Sequence, residues 1–138
     1  MRGFILFTSV LFLVLNTLTA LAGGFLLMYA PDGSAMQMPF HWIEGTVFKD
    51  YFIPGLILFL CNGLFGVVVL LLILRRSKWA SKAILAQGLV LMVWIIAQIS
   101  ILHLVNMLHI TFLIIGFFLI AFGYFLDTTK AEHAGQQA

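Results

Sequence analysis

Four long apolar runs dominate this 138-residue chain and leave few folds open to it. They cover residues 3–29, 54–74, 83–102 and 110–126. A helix needs about 20 apolar residues, and at least about 17, to cross the hydrocarbon core of a bilayer. Charged residues make up only 9% of the chain, against about 25% in soluble proteins. We predict an all-α membrane protein, with a four-helix transmembrane bundle in residues 1–126 and a polar cytoplasmic tail, frayed or disordered, in residues 127–138.

The first apolar run also has features of a signal peptide. Arg2 precedes it, and Ala20-Leu21-Ala22 has the pattern of a cleavage site. The run continues to Met28, however, which is beyond the apolar core of a signal peptide. We therefore interpret it as an uncleaved membrane span.

The basic residues are distributed unevenly between the two sides of the predicted bundle. Lys49 lies on one side, and six basic residues lie on the other: Arg2, Arg75, Arg76, Lys78, Lys82 and Lys130. Because Lys and Arg accumulate in cytoplasmic segments, both termini are predicted to be cytoplasmic. The loop 30–53 and the turn 103–109 then face outward. The four basic residues of the connection 75–82 are also expected to contact anionic lipid headgroups.

Each span carries a stripe of small or polar residues at helical spacing. The stripes are Asn16, Ala20 and Gly23; Gly55, Asn62 and Gly66; Ala80, Gln87, Trp94 and Gln98; and Gly116 and Gly123. Small residues let helix backbones approach, and amides form hydrogen bonds between helices. We expect the stripes to face inward, with the amides joining helices or, alternatively, lining a polar path. No ionisable residue lies in the middle of a span, which disfavours a proton-coupled transporter.

The first loop is too polar for a span and unusually aromatic. Its rings suit the membrane interface, so we predict an ordered loop that packs on the outer mouth of the bundle. Gly45 is expected to end a short turn or helix that begins at His41. Asp50 and Pro54 suit the first turn of the second span, and residues 31–34, Pro-Asp-Gly-Ser, have the composition of a turn.

The same loop carries a resemblance to a known family. The residues concerned are Trp42, Glu44-Gly45, Phe48, Asp50-Tyr51 and Ile53-Pro54-Gly55, followed by the basic segment 75–79 and by Trp94. In this pattern the chain resembles a family of small bacterial four-span membrane proteins to which no activity is assigned. It is similar to DoxX-like proteins only in size and span number. The resemblance implies the topology and a bacterial cytoplasmic membrane, and it implies no chemistry.

One candidate ligand site follows from the topology. Trp94 and Gln98 lie one turn apart on the third span, and an indole beside an amide is typical of a ligand pocket. His103 would lie at its mouth, and residues 41–44 would cover it as a lid hinged at Gly45. The candidate ligand-binding residues are therefore His41, Trp42, Glu44, Trp94, Gln98 and His103.

Other chemistry at the outer side is less well supported. His103 and His109 are expected to be a solvated interfacial pair, because their spacing matches no metal motif. Glu44 and Asp50 could act as an acid–base pair, but no nucleophile accompanies them. Cys61 is expected to be a small, buried apolar residue without a redox role. We therefore predict no metal, no cofactor and no catalytic residue.

These observations favour a non-enzymatic accessory or scaffold protein that associates with other membrane proteins or with itself. Gly116 and Gly123, seven residues apart among four phenylalanines of the fourth span, form a groove suited to another helix. The alternative is a protein that binds or transports a small or lipid-like molecule in the outer half of the bundle. Membrane lipids are expected partners in both cases, and nucleic acid is not.

Overall fold

The computed structural model describes residues 1–137, and within them four long helices follow the four apolar runs. The helices are α1 (Arg2–Tyr29), α2 (Phe52–Leu74), α3 (Ala80–Leu102) and α4 (Met107–Gln136). Each is long and apolar enough to cross a membrane. The middle of α2, Leu58–Leu64, is wound as a π-helix. Cys61 within it is exposed, so the expectation that this residue is buried is wrong. The prediction of an all-α, four-helix bundle is confirmed.

The helices form two antiparallel pairs in which glycines allow close contact. In the first pair, Gly24 of α1 faces Gly55 and Phe59 of α2. In the second, Gly88 of α3 faces Gly116 of α4, and a Cβ on Gly88 would lie 2.8 Å from the Gly116 carbonyl oxygen. The two pairs meet around a core that includes Leu13, Val69, Ile84, Leu91 and Leu119. The glycines of the predicted stripes are all buried, which confirms their inward orientation, whereas Gly24 and Gly88 were not among the predicted stripe residues.

The glycine groove of α4 is occupied within the chain. A Cβ on Gly116 would lie 2.7 Å from Met92 Cγ, and one on Gly123 would lie 2.5 Å from the backbone nitrogen of Leu85. Met92 and Leu85 belong to α3. Intrachain packing therefore accounts for both glycines, and the groove is closed to a further helix.

The two ends of the bundle differ. At the loop end, residues 30–51 connect α1 to α2 and residues 103–106 connect α3 to α4. The opposite end, the basic end, carries the connection 75–79 and the termini of α1 and α4. There the Nζ atoms of Lys78 and Lys82 lie 5.6 and 5.4 Å from the centre of the exposed Trp79 ring.

Two sequence-based expectations about α4 are wrong. His109 is not part of a turn, because α4 begins at Met107 and buries His109 to 8% exposure. The amide nitrogen of His109 donates to Asn106 Oδ1, and His109 Nδ1 accepts from the Asn106 amide, which caps the helix reciprocally. The tail is not disordered either, since α4 continues to Gln136; Ala138 lies outside the described residues.

Contacts with α3 help to explain the longer α4. Asp127 Oδ1 accepts a hydrogen bond from Ser81 Oγ at 3.0 Å, and Lys130 Nζ donates to the Lys78 carbonyl oxygen at 3.2 Å. Both bonds join α4 to the start of α3 or to the residues just before it. The polar residues after position 126 thus extend the helix beyond the predicted span.

Candidate ligand site at the loop end

The loop between α1 and α2 is ordered and covers the loop end of the bundle. Two short 3₁₀ turns, Ser34–Met36 and Phe40–Trp42, shape it. Ile43 and Tyr51 are almost fully buried and pack with Leu27 of α1. The expectation that this loop packs on the bundle is confirmed.

Tyr51, the last residue of the loop, holds two earlier parts of the loop in place. Its hydroxyl donates to the Pro39 carbonyl oxygen at 2.8 Å, and its amide donates to the Pro31 carbonyl oxygen at 2.9 Å. Burial raises the pKa of the Tyr51 hydroxyl. Its ring also lies close to Gly33, where a Cβ would be 2.9 Å from Tyr51 Cε2 and 2.6 Å from the Met38 carbonyl oxygen. Gly33 has a φ of 83°, so glycine suits this turn in both backbone conformation and space.

The other predicted loop features are also present. Asp32 Oδ1 accepts from the Ser34 amide and hydroxyl, which forms the expected turn. These bonds, with the Ser34 hydroxyl first, hold the pKa of Asp32 below its usual value. Asp50 Oδ1 accepts from the Phe52 amide at 2.9 Å at the start of α2. Gly45 has a φ of 77°, as a turn-ending glycine should.

Beneath the loop lies a small cavity of about 40 Å³. Its lining residues come from α1, the loop, the start of α2 and the last turns of α3: Leu27, Met38, Ile43, Phe48, Tyr51, Pro54, Trp94, Ala97, Gln98, Ile101 and Leu102. A space of this size holds a few water-sized groups, or the end of a larger apolar molecule. The wall is mainly apolar, with Gln98, Trp94 and Tyr51 as its polar side chains.

Trp94 carries a hydrogen-bond donor that the protein does not use. Its Nε1 is buried and has no partner among residues 1–137. Buried indole N–H groups usually find an acceptor, so this group is unusual. The Tyr51 hydroxyl, in contrast, already donates to Pro39.

A second, open groove lies at the loop end of the bundle. It has a volume of about 610 Å³ and is lined by the loop segment 41–47 and by residues 100–104. The groove and the cavity share Ile101 and Leu102 on their walls.

The six candidate residues are therefore divided between two neighbouring spaces. Trp94 and Gln98 line the cavity, whereas His41, Trp42, Glu44 and His103 line the groove. His103 is exposed and ends α3 with a φ of 52°. Within residues 1–137, no three side chains of His, Cys, Asp or Glu lie close enough together to hold a metal ion.

Sequence reasoning did not identify several residues of the cavity wall. In the sequence Tyr51 is one of the aromatic residues of the loop and part of the family pattern, but its bond to Pro39, twelve residues away, leaves no signal in sequence spacing. Ile43 did offer one, because it is the only aliphatic residue in the segment 40–46.

Comparison of the chain with protein-family models, with curated proteins and with solved structures gives no match in any of the three. The class of protein rests on the helices themselves. Four helices of 23 to 30 residues are long and apolar enough to cross a bilayer, and many of their large apolar side chains are exposed, among them Phe7, Leu18, Val93 and Phe117. The chain is a multi-pass integral membrane protein.

Proposed function

We propose that this protein is a non-enzymatic binding protein that receives a small or lipid-like molecule in the cavity beneath its loop. The observation that carries this proposal is the small, partly open and mainly apolar cavity lined by Trp94 and Gln98 of α3 and by an ordered loop. Ligand pockets are typically apolar, with a few placed polar groups. The cavity itself accepts one end of such a molecule, and the adjoining groove offers room for the rest.

The proposal also includes the orientation of the protein in the membrane and the identity of that membrane. Six of the seven basic residues lie at the basic end or in the first turns next to it, which supports a cytoplasmic basic end and an outward-facing loop. The resemblance described above supports a bacterial cytoplasmic membrane. The ligand would then approach from the outer leaflet or from the outer aqueous side.

The scaffold hypothesis remains a second, untested candidate. The groove that motivated it is filled by α3, so a partner would have to bind elsewhere on the bundle. Phe117 and Phe118, whose ring centres lie 5.9 Å apart on α4, are exposed. Lipid covers such residues equally well, so the cavity is the stronger basis for a function.

Filling the cavity tests the proposal. Ala97→Phe places a ring in the cavity, whereas Ala121→Phe adds the same ring to the lipid-facing side of α4, where Ala121 is exposed. Small molecules and lipids that co-purify with each variant are identified by mass spectrometry. We expect one species to be present with the unmodified protein and with Ala121→Phe, and depleted at least about tenfold with Ala97→Phe. The same set of species in all three samples would refute the proposal.

A further inference from the structure

The open groove at the loop end lies at the depth of lipid headgroups. One of its walls consists of residues 100–104, at the end of α3 and just after it. Between Lys82 and Leu102 the helix rises about 30 Å, which matches the hydrocarbon thickness of a bilayer, also about 30 Å. Because Lys82 belongs to the basic end, at the headgroups of one leaflet, the groove wall lies at the headgroups of the other.

The turn that follows this wall is apolar and exposed. Leu104 lines the groove, and Val105, Met107 and Leu108 come after it, each more than half exposed. Large apolar side chains are costly to expose to water, but they carry no such cost beside lipid. The surroundings of the groove thus favour the membrane interface, and the molecule that fits there is a lipid with its headgroup at this depth.

The groove offers polar groups that the cavity lacks. Its polar lining residues include His41, Glu44, Ser100 and His103. An imidazole N–H and a serine hydroxyl can each donate to a phosphate oxygen. Glu44 is exposed, and in the described part of the chain it is the only Asp, Glu, Lys or Arg that lines the groove. The groove therefore combines hydrogen-bond donors with one carboxylate that no Lys or Arg of the groove offsets.

The Glu44 carboxylate distinguishes between lipid headgroups. A headgroup that is only anionic would bring its phosphate into a groove with a like charge, whereas an ammonium group next to the phosphate is attracted to that charge. Trp42 lines the same groove, and indole rings attract cations to their faces. A zwitterionic headgroup, with a phosphate and an ammonium group, therefore matches both the donors and the carboxylate.

We infer that the groove binds the headgroup of a zwitterionic phospholipid with an ammonium group, such as phosphatidylethanolamine, and that Glu44 pairs with this ammonium. The inference rests on the proposed function and specifies the ligand, because the adjoining cavity receives an apolar part of the same molecule. The groove volume of about 610 Å³ is within the range of about 300–1,000 Å³ that is typical of ligand sites.

The experiment measures lipid binding to the delipidated full chain in a nonionic detergent by native mass spectrometry. Phosphatidylethanolamine and phosphatidylglycerol with the same acyl chains are titrated separately into the unmodified protein, Glu44→Gln and Glu132→Gln. Glu132 is an exposed carboxylate near the end of α4, at the basic end, and provides the matched control.

Glu44→Gln should weaken the binding of phosphatidylethanolamine about two- to fivefold, as the loss of one exposed ion pair predicts. It should not weaken the binding of phosphatidylglycerol, which has no ammonium group and is also attracted to the basic end. Glu132→Gln should bind phosphatidylethanolamine as the unmodified protein does. Equal weakening of both lipids by Glu44→Gln would show that its charge does not select the headgroup, and would overturn the inference.

Soluble phosphoethanolamine tests whether a lipid is the source of the headgroup. An equal concentration of this compound should not displace phosphatidylethanolamine, because it has no apolar part for the cavity. Displacement would assign the groove to a water-soluble ligand and overturn the lipid assignment.

Ala97→Phe, the variant that fills the cavity, separates the failure of this inference from that of the proposed function. If Ala97→Phe loses lipid while Glu44→Gln binds both lipids normally, the cavity binds a ligand but the headgroup assignment is wrong. If Glu44→Gln weakens only phosphatidylethanolamine and Ala97→Phe has no effect, the headgroup assignment is retained and the role of the cavity is refuted. If neither variant changes lipid binding, both are refuted.

Discussion

The bundle and its loop are held together by different kinds of contact. Within the helix pairs the closest contacts are between backbones, as at Gly24 and Gly55 or at Gly88 and Gly116. The loop is instead fixed by side-chain hydrogen bonds at its turns, such as those that Ser34 donates to Asp32 and Tyr51 donates to Pro39.

This difference reflects the solvent around each region. Lipid provides no hydrophobic driving force between helices, so close packing must stabilise the bundle. The loop lies where water competes for polar groups, and an intramolecular hydrogen bond there contributes only about 0.5–1.5 kcal/mol. Steric changes in the bundle should therefore cost more than the loss of any single loop contact.

The largest effect is expected from adding a methyl group at a glycine contact. A Cβ at Gly24 would lie 2.7 Å from the Gly55 carbonyl oxygen, and one at Gly88 would lie 2.8 Å from that of Gly116. Overpacking costs about 1–3 kcal/mol, which exceeds the gain of about 0.5–1 kcal/mol in helix propensity from Gly to Ala. Gly24→Ala and Gly88→Ala should lower the free energy of unfolding in mixed micelles.

The matched control is Gly3→Ala, because nothing lies within 4 Å of a Cβ at Gly3. It should leave stability unchanged or raise it slightly. If all three variants behave alike, glycine packing is not what stabilises the helix pairs.

The polar contact between the pairs provides the next test. Gln87 Nε2 donates to Asn62 Oδ1 at 3.2 Å, and both residues are fully buried. Asn62→Leu leaves the Gln87 donor unpaired, which costs about 1–3 kcal/mol. The coupling in a cycle with Gln87→Met should be smaller, about 0.6 kcal/mol, as for other hydrogen bonds between membrane helices.

Gln98→Met is the control partner for this cycle, since Gln98 lies about three turns further along α3. Its effect should add to that of Asn62→Leu without coupling. A coupling well above that of a single hydrogen bond would mean that the bundle depends on polar contacts as the loop does, and the proposed contrast would fail.

In the loop, Tyr51→Phe removes the hydroxyl that donates to Pro39 and keeps the buried ring. We expect a loss of about 1 kcal/mol in local stability, or about fivefold faster amide exchange in residues 40–50. Exchange within the helix pairs should not change. Tyr29→Phe is the control, because Tyr29 is exposed on α1. Equal exchange in both variants would show that the hydroxyl does not hold the loop.

The hydrogen bond from the Tyr51 hydroxyl to Pro39 also predicts that the loop becomes less stable at high pH. Only the neutral hydroxyl can donate to Pro39, and burial raises its pKa above the usual value of 10.0. The associated stability is therefore fully present below about pH 10 and is lost as the pH rises through the higher pKa of the folded protein. Amide exchange in the loop, corrected for its intrinsic pH dependence, should increase only in that range. Tyr51→Phe should abolish the transition.

The sequence was informative where a long apolar run or a local motif determines the structure. The apolar runs predicted the spans, and the Asp32 turn, Asp50 and Gly45 were predicted from local rules. The start of α4 was missed because its cap pairs Asn106 with a histidine, whereas the usual reciprocal cap has Glu or Gln at that position. The helical tail was missed because Asp127 meets Ser81, 46 residues away in the chain.

The candidate site could be predicted from the sequence only in part, because contacts between distant segments also shape it. Helical spacing predicts that Trp94 and Gln98 lie on one face of α3, and both line the cavity. His103 was assigned to the same space, but α3 ends at Leu102 and His103 turns into the groove wall. Which loop residues cover the cavity depends on contacts between distant segments, such as Ile43 with Leu27.

The smallest effect is expected at the exposed turn of the loop. Asp32 accepts from Ser34 Oγ at 2.6 Å and from the Ser34 amide at 3.0 Å. These bonds favour the carboxylate and lower its pKa below 3.8, with the Ser34 hydroxyl as the largest cause. The stabilisation is present above that unfolded value and is lost as the pH falls through the lower folded pKa.

Ser34→Ala should therefore move the Asp32 pKa back towards 3.8, as measured by the ¹³C shift of its carboxyl group. Ser100→Ala, at an exposed serine of α3, should leave that pKa where it is. Because the turn is exposed, solvent screens the interaction, and neither variant should change the unfolding of the bundle. An unchanged Asp32 pKa in Ser34→Ala would show that the turn does not depend on this hydroxyl. A change in bundle unfolding would instead show that loop and bundle are coupled, so that their contacts could not be treated separately.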